Sequence, residues 1–420
     1  MKMFGLADCN NFYVSCERIF NLSVRNVPVV VLSNNDGCVI SRSQEAKDLG
    51  VKMGVPAHEI KHLIKNHNIQ LFSSNYTLYA DISSRVMTSL SDLCPQVEVY
   101  SIDEAFLDLS IIPNHELQQF GENLKYKIGK WTKIPICVGI APTKTLAKLA
   151  NKIAKKSGPG VFVLDSEEKI KKTLSEYPVE DVWGIGRQHS KQLKSLGITT
   201  AQQLAEQNDN LVQKLFSITG LRLVRELRGE SCIGMTQPRN MSKGICCSRS
   251  FGKSISTLQN LEEAVANFAN RCGEKLRRQN SCANVLTVFI NTNYFNKSVP
   301  QYSKSITVNF PVPTNNAHEI QKFAARALKS IFKSEYDYKK AGVIVTGIIP
   351  DTQQQTGLFD TEDREKLEKL SNLMDKVNAK FGRNTLNLAI QGTSKIWQPN
   401  AKMLSPRYTT NWDDIPKIST

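Results

Sequence analysis

Residues 101–108 of the chain, Ser-Ile-Asp-Glu-Ala-Phe-Leu-Asp, place two adjacent acids between two short apolar runs. These runs are rich in strand-forming residues, so the stretch predicts a β-hairpin with Asp103 and Glu104 at its turn. Neighbouring side chains of a regular strand point to opposite faces, and a turn removes that restriction. The position therefore predicts that both acids can serve one site.

Apolar runs of strand length surround this hairpin in the chain. The sequence predicts strands at 4–7, 27–32, 97–101, 105–109, 136–140 and 161–164. Apolar residues at helical spacing predict helices at 41–49, 78–93 and 143–156. Strands and helices that alternate in this way indicate a mixed α/β domain.

The pattern changes after this domain. Helical stretches with short turns continue to about residue 229 and predict an all-helical domain, and the polar segment 231–242 predicts a linker. A third unit of α+β type follows, with helices at 261–278 and 317–332 and strands at 285–291, 305–312 and 340–349. From about residue 351 the sequence predicts a partly ordered tail with one helix at 364–381.

Composition limits the function classes. The 420 residues include 54 Lys and Arg against 39 Asp and Glu, and a net charge of +15 favours a polyanionic partner such as nucleic acid. None of the ten cysteines forms a CxxC pair, which argues against a zinc site or a redox motif. The sequence has no apolar stretch of signal-peptide or membrane-span length, so we expect a cytoplasmic protein that does not bind a membrane.

The acids suggest nucleotidyl transfer as one hypothesis. That reaction needs an activated hydroxyl and positive charge at the pentavalent phosphate, and two Mg²⁺ ions supply both. Magnesium prefers carboxylates as protein ligands, and Asp8, at the end of the first apolar run, adds a third acid to Asp103 and Glu104. On spacing alone, however, the three acids fit a strand end and a solvated hairpin tip better than a metal site.

The wider pattern changes this judgement. SIDEAF, Asp8 with the following Phe12-Tyr13, and the helix at 143–156 resemble the Y-family of translesion DNA polymerases. The strings SNNDGCVISR, SSNYTLYAD, GVKMG, VWGIGR, CSRSFG and LSPRYTT are similar to the UmuC-type branch of that family and extend the resemblance over nearly the whole chain. The resemblance implies an error-prone, template-directed DNA polymerase that copies past damaged bases in SOS mutagenesis.

The resemblance also implies an α+β multidomain fold of the right-hand polymerase type. It predicts a mixed-sheet palm, small fingers, a helical thumb with a helix-hairpin-helix, and an α+β little finger. The expected boundaries are palm 1–10 and 79–165, fingers 11–78, thumb 166–230, linker 231–242, little finger 243–350, and C-terminal tail 351–420.

In that family the first acid of the N-terminal motif and the Asp-Glu pair bind both metal ions. The resemblance therefore assigns two Mg²⁺ to Asp8, Asp103 and Glu104 as catalytic ligands, with the backbone carbonyl of Cys9 as a further ligand. The general family pattern has a second acid two residues after the first, and Asn10 stands there in this chain. Asn10 is therefore excluded from the predicted ligand set.

Nucleotide contacts are also implied by the resemblance. Tyr13 occupies the position of the steric gate, a side chain packed where a ribose 2′-hydroxyl would lie, with a core aromatic as the alternative. A helix predicted after Gly37 would present cations to the triphosphate. Lys155 matches the family's triphosphate lysine, although its lysine neighbours also fit a solvated face. The predicted nucleotide-binding residues are Asn11, Phe12, Tyr13, Ser41, Arg42, Lys47 and Lys155.

Two regions are predicted to contact DNA. Gly184 and Gly186 lie in the expected helix-hairpin-helix, where glycines let backbone N–H groups approach phosphates. Arg249 and Lys253 lie on the expected little finger. Ordinary turn chemistry and solubilising charge are the respective alternatives.

The tail carries a peptide that resembles the sliding-clamp motif of bacterial polymerases, with Gln355, Leu358 and Phe359 as its contact residues. The other implied partners are primer-template DNA, deoxynucleotides, a UmuD-type accessory dimer and a RecA filament. Two alternatives stay open: a DNA-bound scaffold that recruits the clamp and damage-response partners, and a different two-metal enzyme such as a nucleotidyl cyclase. The acids argue against the scaffold, and the clamp peptide and the helix-hairpin-helix argue against the cyclase.

Overall fold

The computed structural model describes residues 2–235, 241–355, 360, 362–393 and 396–416. The chain forms two compact units. The first comprises Met1–Ser33, Gly37–Gln237 and Met403–Thr420, and the second comprises Asn34–Asp36 and Pro238–Lys402. The finer division into palm, fingers, thumb and little finger stays a prediction.

The first unit contains eight strands and ten α-helices among its described residues. In chain order they are β1 (Phe4–Cys9), α1 (Phe12–Phe20), β2 (Val29–Leu32), β3 (Val39–Arg42), α2 (Gln44–Asp48), α3 (Lys61–Asn66), β4 (Gln70–Ser73), α4 (Tyr76–Leu93), β5 (Val97–Val99), β6 (Glu104–Asp108), α5 (Leu117–Thr132), β7 (Ile136–Ala141), α6 (Lys144–Ala154), β8 (Val161–Val163), α7 (Glu167–Glu176), α8 (Arg187–Ser195), α9 (Ala201–Ala205) and α10 (Asp209–Leu227).

A mixed five-stranded sheet in the order β5-β6-β1-β7-β8 forms the centre of this unit. β1 is antiparallel to β6 and β7, and β7 is parallel to β8. Helices α4 and α5 cover one face of the sheet, and α6 covers the other. Burial from both faces explains why β1 and β7 are nearly continuous apolar runs in the sequence.

Helix α6 lies unusually close to the sheet. A Cβ atom added to Gly139 of β7 would lie 2.1 Å from the backbone N of Asn151, so only glycine permits this approach. The Asn151 side chain donates hydrogen bonds to the carbonyls of Leu6 and Cys137, at 3.1 and 2.9 Å. These contacts fix α6, with its lysines, against β1 and β7.

A three-stranded sheet, β3-β2-β4, corrects one prediction. The helix predicted at 41–49 is wrong in its first part, because Ser41 and Arg42 belong to β3, which pairs with β2. Helix α2 begins only at Gln44, where the Ser43 hydroxyl accepts a hydrogen bond from the Ala46 N–H and caps the helix. Apolar spacing alone does not distinguish this short strand from a first helical turn.

A buried acid joins the helical region to the sheet. Glu226 of α10 is fully buried, and its carboxylate accepts hydrogen bonds from the backbone N–H groups of Thr145, Cys232 and Ile233, each at 2.9 Å. The start of the predicted linker is therefore bonded to α10, and α10 is bonded to the first turn of α6.

Replacing Glu226 by alanine is expected to lower the free energy of unfolding of the first unit by about 3 kcal/mol, because three buried N–H groups lose their acceptor. Chemical denaturation followed by fluorescence measures this change. Glu230→Ala is the control. Glu230 is an exposed glutamate four residues after Glu226, and its replacement should change stability by less than about 0.5 kcal/mol. Equal denaturation midpoints for Glu226→Ala and the parent would contradict the assignment.

The second unit is an α+β domain, as predicted. Its elements are β9 (Gly244–Ile255), α11 (Leu258–Arg278), β10 (Ser281–Thr292), β11 (Ser303–Thr314), α12 (Ala317–Ile331), β12 (Tyr338–Pro350) and α13 (Arg364–Phe381). The strands form an antiparallel sheet in the order β11-β10-β12-β9, and α11 and α12 pack on one face. Strand β9 was not predicted, because its apolar residues are irregularly spaced among polar ones.

No helix in the described part of the chain combines the length and apolar character needed to cross a membrane.

Candidate active site

Two of the three predicted acids face each other across neighbouring strands. Asp8 of β1 lies opposite Glu104 of β6 in the antiparallel register, a pairing that places Cβ atoms about 5 Å apart. Asp103 comes directly before β6, and its carbonyl accepts a hydrogen bond from the Cys9 N–H at 2.8 Å. The backbone thus brings Asp8, Asp103 and Glu104 to one end of the sheet. The prediction that both Asp103 and Glu104 lie in the turn is wrong for Glu104, because its pairing with Asp8 makes it the first residue of β6.

The side chains of Asp8 and Glu104 lie on the sheet face covered by α6. Two lysines of this region neutralise them: Lys155 Nζ lies 2.7 Å from Asp8, and Lys148 Nζ lies 2.8 Å from Glu104. Burial raises the pKa of Asp8 to about 7, against the opposing effect of Lys155, and the nearby Glu104 raises it further. A positive charge beside Asp8 and Glu104 therefore stabilises their ionised forms.

Asp103 takes a different partner. The Ser101 hydroxyl donates a hydrogen bond to the Asp103 carboxylate at 2.6 Å. Across the residues that the structure describes, no three His, Cys, Asp or Glu side chains form a preassembled metal site. The donor set nevertheless suits a hard cation, because carboxylate oxygens are the protein ligands that magnesium prefers. The ligand set of Asp8, Cys9, Asp103 and Glu104 stays a prediction.

The residues after Asp8 do not supply reactive side chains. Burial raises the pKa of the Cys9 thiol well above its usual value, and the charges of Asp8 and Asp103 add to the effect. Cys9 is therefore a neutral thiol. The Asn10 side-chain NH2 group lies 3.2 Å from Cys137 Sγ, on the neighbouring strand β7, and the exclusion of Asn10 from the ligands stays a prediction.

Tyr13 lies in an aromatic cluster at the start of α1. Its ring stacks on Tyr79 with centroids 4.6 Å apart and meets the edge of Tyr76 at 6.0 Å. Burial raises the pKa of Tyr13 to about 12, with a smaller contribution from Asp103. The phenol is therefore neutral, half-buried, and within electrostatic range of Asp103. The neighbouring Phe12 is buried in the core, and Asn11 precedes the helix in a left-handed conformation.

Three of the predicted triphosphate residues share one region. Partial burial lowers the pKa of Lys47, and the positive charges of Arg42 and Lys155 lower it further. Arg42 donates a hydrogen bond to the Val51 carbonyl, and its Nε is a buried donor with no hydrogen-bond acceptor within the described residues. Ser41 is buried and accepts a weak bond from the Val14 N–H at 3.4 Å. The result is a crowded cationic region that an anion would stabilise.

Two lysines of α6 that the sequence left without a role pair with acidic side chains of neighbouring strands. Lys148 binds Glu104 and lies over the rings of Tyr100 and Trp183, at 4.4 and 5.4 Å from their centroids. Lys144 is fully buried, with its ammonium 2.6 Å from Glu98. A solvated basic face is therefore the wrong interpretation of both lysines. Their spacing of four residues on a helix that packs against the hairpin was the available signal.

The predicted DNA contacts are dispersed. Gly184 has a φ of +89°, and an added Cβ would lie 2.6 Å from a Leu223 side-chain carbon, so turn geometry and packing already require glycine there. Gly186 directly precedes α8. Arg249 and Lys253 are exposed on β9. Of the clamp peptide, Gln355 is described, whereas Leu358 and Phe359 lie outside the described residues.

Comparisons with known families match three regions of the chain. The impB/mucB/samB family matches residues 7–152, and the C-terminal domain of the same family matches residues 242–358. A third match, to a domain of unknown function, covers residues 368–418.

Full-length relatives agree with these matches. The chain is 42% identical to the protein UmuC of Salmonella typhimurium, over 99% of this chain and 100% of that protein. It is 43% identical to the protein ImpB of the same organism, over 99% of each chain. DNA polymerase IV of Bacillus velezensis is 26% identical over 90% of each chain.

Solved structures support the fold. A Y-family DNA polymerase chimera of Dbh and Dpo4 superposes with a TM-score of 0.67 at 22% identity, covering 83% of this chain and 99% of that one. An insertion ternary complex of Dbh DNA polymerase gives a TM-score of 0.55 with the same coverage.

Proposed function

This chain belongs to the impB/mucB/samB family of Y-family DNA polymerases and carries out error-prone translesion DNA synthesis, and we propose which of its residues perform each part of the reaction. The observation that carries the assignment is the opposition of Asp8 and Glu104 on β1 and β6. Lys155 of the cationic region pairs with Asp8, and the half-buried Tyr13 lies within electrostatic range of Asp103.

Y-family polymerases use divalent metal ions, and we assign two Mg²⁺ to Asp8, Asp103, Glu104 and the carbonyl of Cys9. When bound, these ions activate the primer hydroxyl and stabilise charge on the pentavalent phosphate and the pyrophosphate. The raised pKa of Asp8 supports the assignment, because a buried carboxylate beside a second carboxylate is stabilised by a cation.

The cationic region is assigned to the triphosphate. Arg42, Lys47 and Lys155 repel one another, and a bound polyphosphate would relieve this repulsion. The first turn of α1 begins at Asn11 and Phe12 and contacts Ser41, the neighbour of Arg42, through the Val14 N–H. Backbone N–H groups at a helix N-terminus favour an anion. Ser41 is assigned an indirect role in triphosphate binding, because its hydroxyl accepts a hydrogen bond from the Val14 N–H in the first turn of α1.

Tyr13 is assigned as the steric gate. Its ring is held on two sides by Tyr76 and Tyr79, so it cannot move aside without losing both aromatic contacts. A rigid ring beside the nucleotide excludes a 2′-hydroxyl by its volume. This makes sugar selection a property of packing and not of hydrogen bonding.

The chain binds primer-template DNA and deoxynucleotides, and we propose further contacts and partners. Gly184 and Gly186 are assigned to duplex phosphates through their backbone, and Arg249 and Lys253 through their charge. The peptide with Gln355, Leu358 and Phe359 is assigned to the sliding clamp. A UmuD-type dimer and a RecA filament are the proposed accessory partners, and the cytoplasm is the proposed location.

Primer extension on a template with a single abasic site tests the function. We expect insertion opposite the abasic site with Mg²⁺, and a higher yield when the processed UmuD-type dimer and a RecA filament are added. The DNA-bound scaffold alternative predicts primer-template binding without any extension, on damaged or undamaged template, under either condition. That outcome would overturn the proposal.

A further inference from the structure

The chain returns to the first unit with residues 403–416, which lie within the region that matches a domain of unknown function. We call them the C-terminal segment. Met403 exchanges two hydrogen bonds with Ser73 at the end of β4, at 2.9 and 3.0 Å. The ring of Tyr408 stacks on Phe20 of α1, with centroids 4.7 Å apart. The segment is therefore held against both a strand and the helix that carries Tyr13.

Ser405 is the buried centre of these contacts. Its hydroxyl donates a hydrogen bond to the Glu17 carboxylate at 3.0 Å. The Asn75 amide lies 3.0 Å from both the carbonyl and the hydroxyl of Ser405, and 3.2 Å from the carbonyl of Pro406. The oxygen of the same Asn75 side chain caps α4 by accepting from the Leu78 N–H. Ser405 is thus bonded to residues of both α1 and α4.

Glu17 joins the same two helices. It is 1% exposed, and its Oε1 atom accepts hydrogen bonds from the hydroxyls of Tyr79, at 2.6 Å, and Ser405. Burial raises its pKa, and the two hydroxyl donors partly offset this effect. A buried carboxylate is costly unless hydrogen bonds satisfy it, so loss of one donor weakens the whole arrangement.

The contacts of Ser405 and Glu17 extend through Tyr79 to the proposed steric gate, Tyr13. Tyr79, whose hydroxyl is fixed by Glu17, stacks flat on Tyr13 with an interplanar angle of 18°. Tyr13 and Glu17 are four residues apart on α1, so they lie on one side of that helix. Three direct contacts therefore connect the C-terminal segment to the gate ring: Ser405 to Glu17, Glu17 to Tyr79, and Tyr79 to Tyr13.

We propose that the C-terminal segment sets the position of the Tyr13 ring and thereby the selection of deoxyribose over ribose. Ser405 and Glu17 are positioning residues that act through Tyr79. The proposal rests on the proposed role of Tyr13 as the steric gate, and it gives this part of the domain of unknown function a role in substrate specificity.

The test uses the full-length chain in single-nucleotide primer extension with Mg²⁺. The measured quantity is the ratio of kcat/KM for a deoxynucleotide to kcat/KM for the matching ribonucleotide. Glu17→Ala is expected to lower this ratio about tenfold and Ser405→Ala about threefold, because each loses a buried hydrogen bond to a charged group. Glu17→Gln, whose amide oxygen still accepts from both hydroxyls, should stay within about twofold of the parent.

Trp412→Ala is the matched control in the same segment. Its side chain is 88% exposed, so removing it should leave the ratio unchanged. A merely structural role for Ser405 and Glu17 would lower incorporation of both sugars in parallel and leave the ratio at the parental value. That result would overturn the proposal. If Glu17→Ala does not fold, Ser405→Ala decides alone.

Tyr13→Ala, measured alongside, separates this proposal from the proposed function. If Tyr13→Ala loses sugar selection while Ser405→Ala and Glu17→Ala keep it, the gate assignment stands and the positioning role is wrong. If Tyr13→Ala itself keeps sugar selection, the gate assignment fails and the positioning role fails with it.

Discussion

Replacing Glu104 by glutamine is expected to lower the rate of nucleotide incorporation by about a thousandfold or more. The substitution keeps the shape of the side chain and removes one of two carboxylates that face each other across β1 and β6. Bound metal ions stabilise the charge of the transition state by several kcal/mol. Loss of about 4 kcal/mol of this stabilisation lowers the rate about a thousandfold. Single-turnover primer extension at saturating deoxynucleotide and Mg²⁺ measures the effect on chemistry.

Primer-template binding by the Glu104→Gln variant should stay within about threefold of the parent, because the +15 net charge, and not this acid, provides the general attraction to DNA. Asp108→Asn is the matched control. It removes a carboxylate from the other end of β6 and retains an acceptor for the Ser110 N–H. The metal assignment is wrong if Glu104→Gln extends primers at the parental rate.

Replacing Tyr13 by alanine is expected to reduce discrimination against ribonucleotides by about a hundredfold. This is the size of effect with which the shape of a pocket commonly distinguishes two substrates that differ by one small group. The loss of the ring opens the space beside Tyr76 and Tyr79 that a 2′-hydroxyl would need. The discrimination is measured by letting a deoxynucleotide and the matching ribonucleotide compete for incorporation on an undamaged template.

Tyr13→Phe is the informative control for this prediction. Phenylalanine retains the ring and its contacts, so discrimination should stay near the parental value if the gate acts by volume. A loss in Tyr13→Phe equal to that in Tyr13→Ala would instead assign the selection to the hydroxyl. Unchanged discrimination in Tyr13→Ala would show that Tyr13 is only a core aromatic.

Much of the fold was predictable because its elements carry local signals. The central strands β1, β6 and β7 are buried from both faces and therefore appear as apolar runs. Helix α13 was predicted with its exact bounds, and α6 within two residues. The α+β character of the second unit followed from the order of its elements, and the first unit contains the strands and helices predicted as a mixed α/β domain followed by a helical one.

The two missed strands, β3 and β9, share a physical cause. Strand β9 has an edge position and a mostly polar sequence, and β3 is only four residues long, so neither produces a clear period. Helix α5 was also omitted, although Leu117, Leu124 and Ile128 lie on its buried side. Short and polar elements are specified by pairing with distant residues, which a local pattern does not contain.

Residue type and spacing were enough to identify the three acids, the hairpin that carries Asp103 and Glu104, and the likeness to a polymerase family, because these are local properties. The position of Asp8 opposite Glu104 arises only on folding, because strand register depends on how two distant segments pair. The pairing of Lys148 with Glu104 and of Lys155 with Asp8 also depends on the tertiary structure. It requires the close approach of α6 to the sheet at Gly139, which no local sequence pattern predicts. The contact of Ser405 with Glu17, 388 residues apart, exists only in the folded chain.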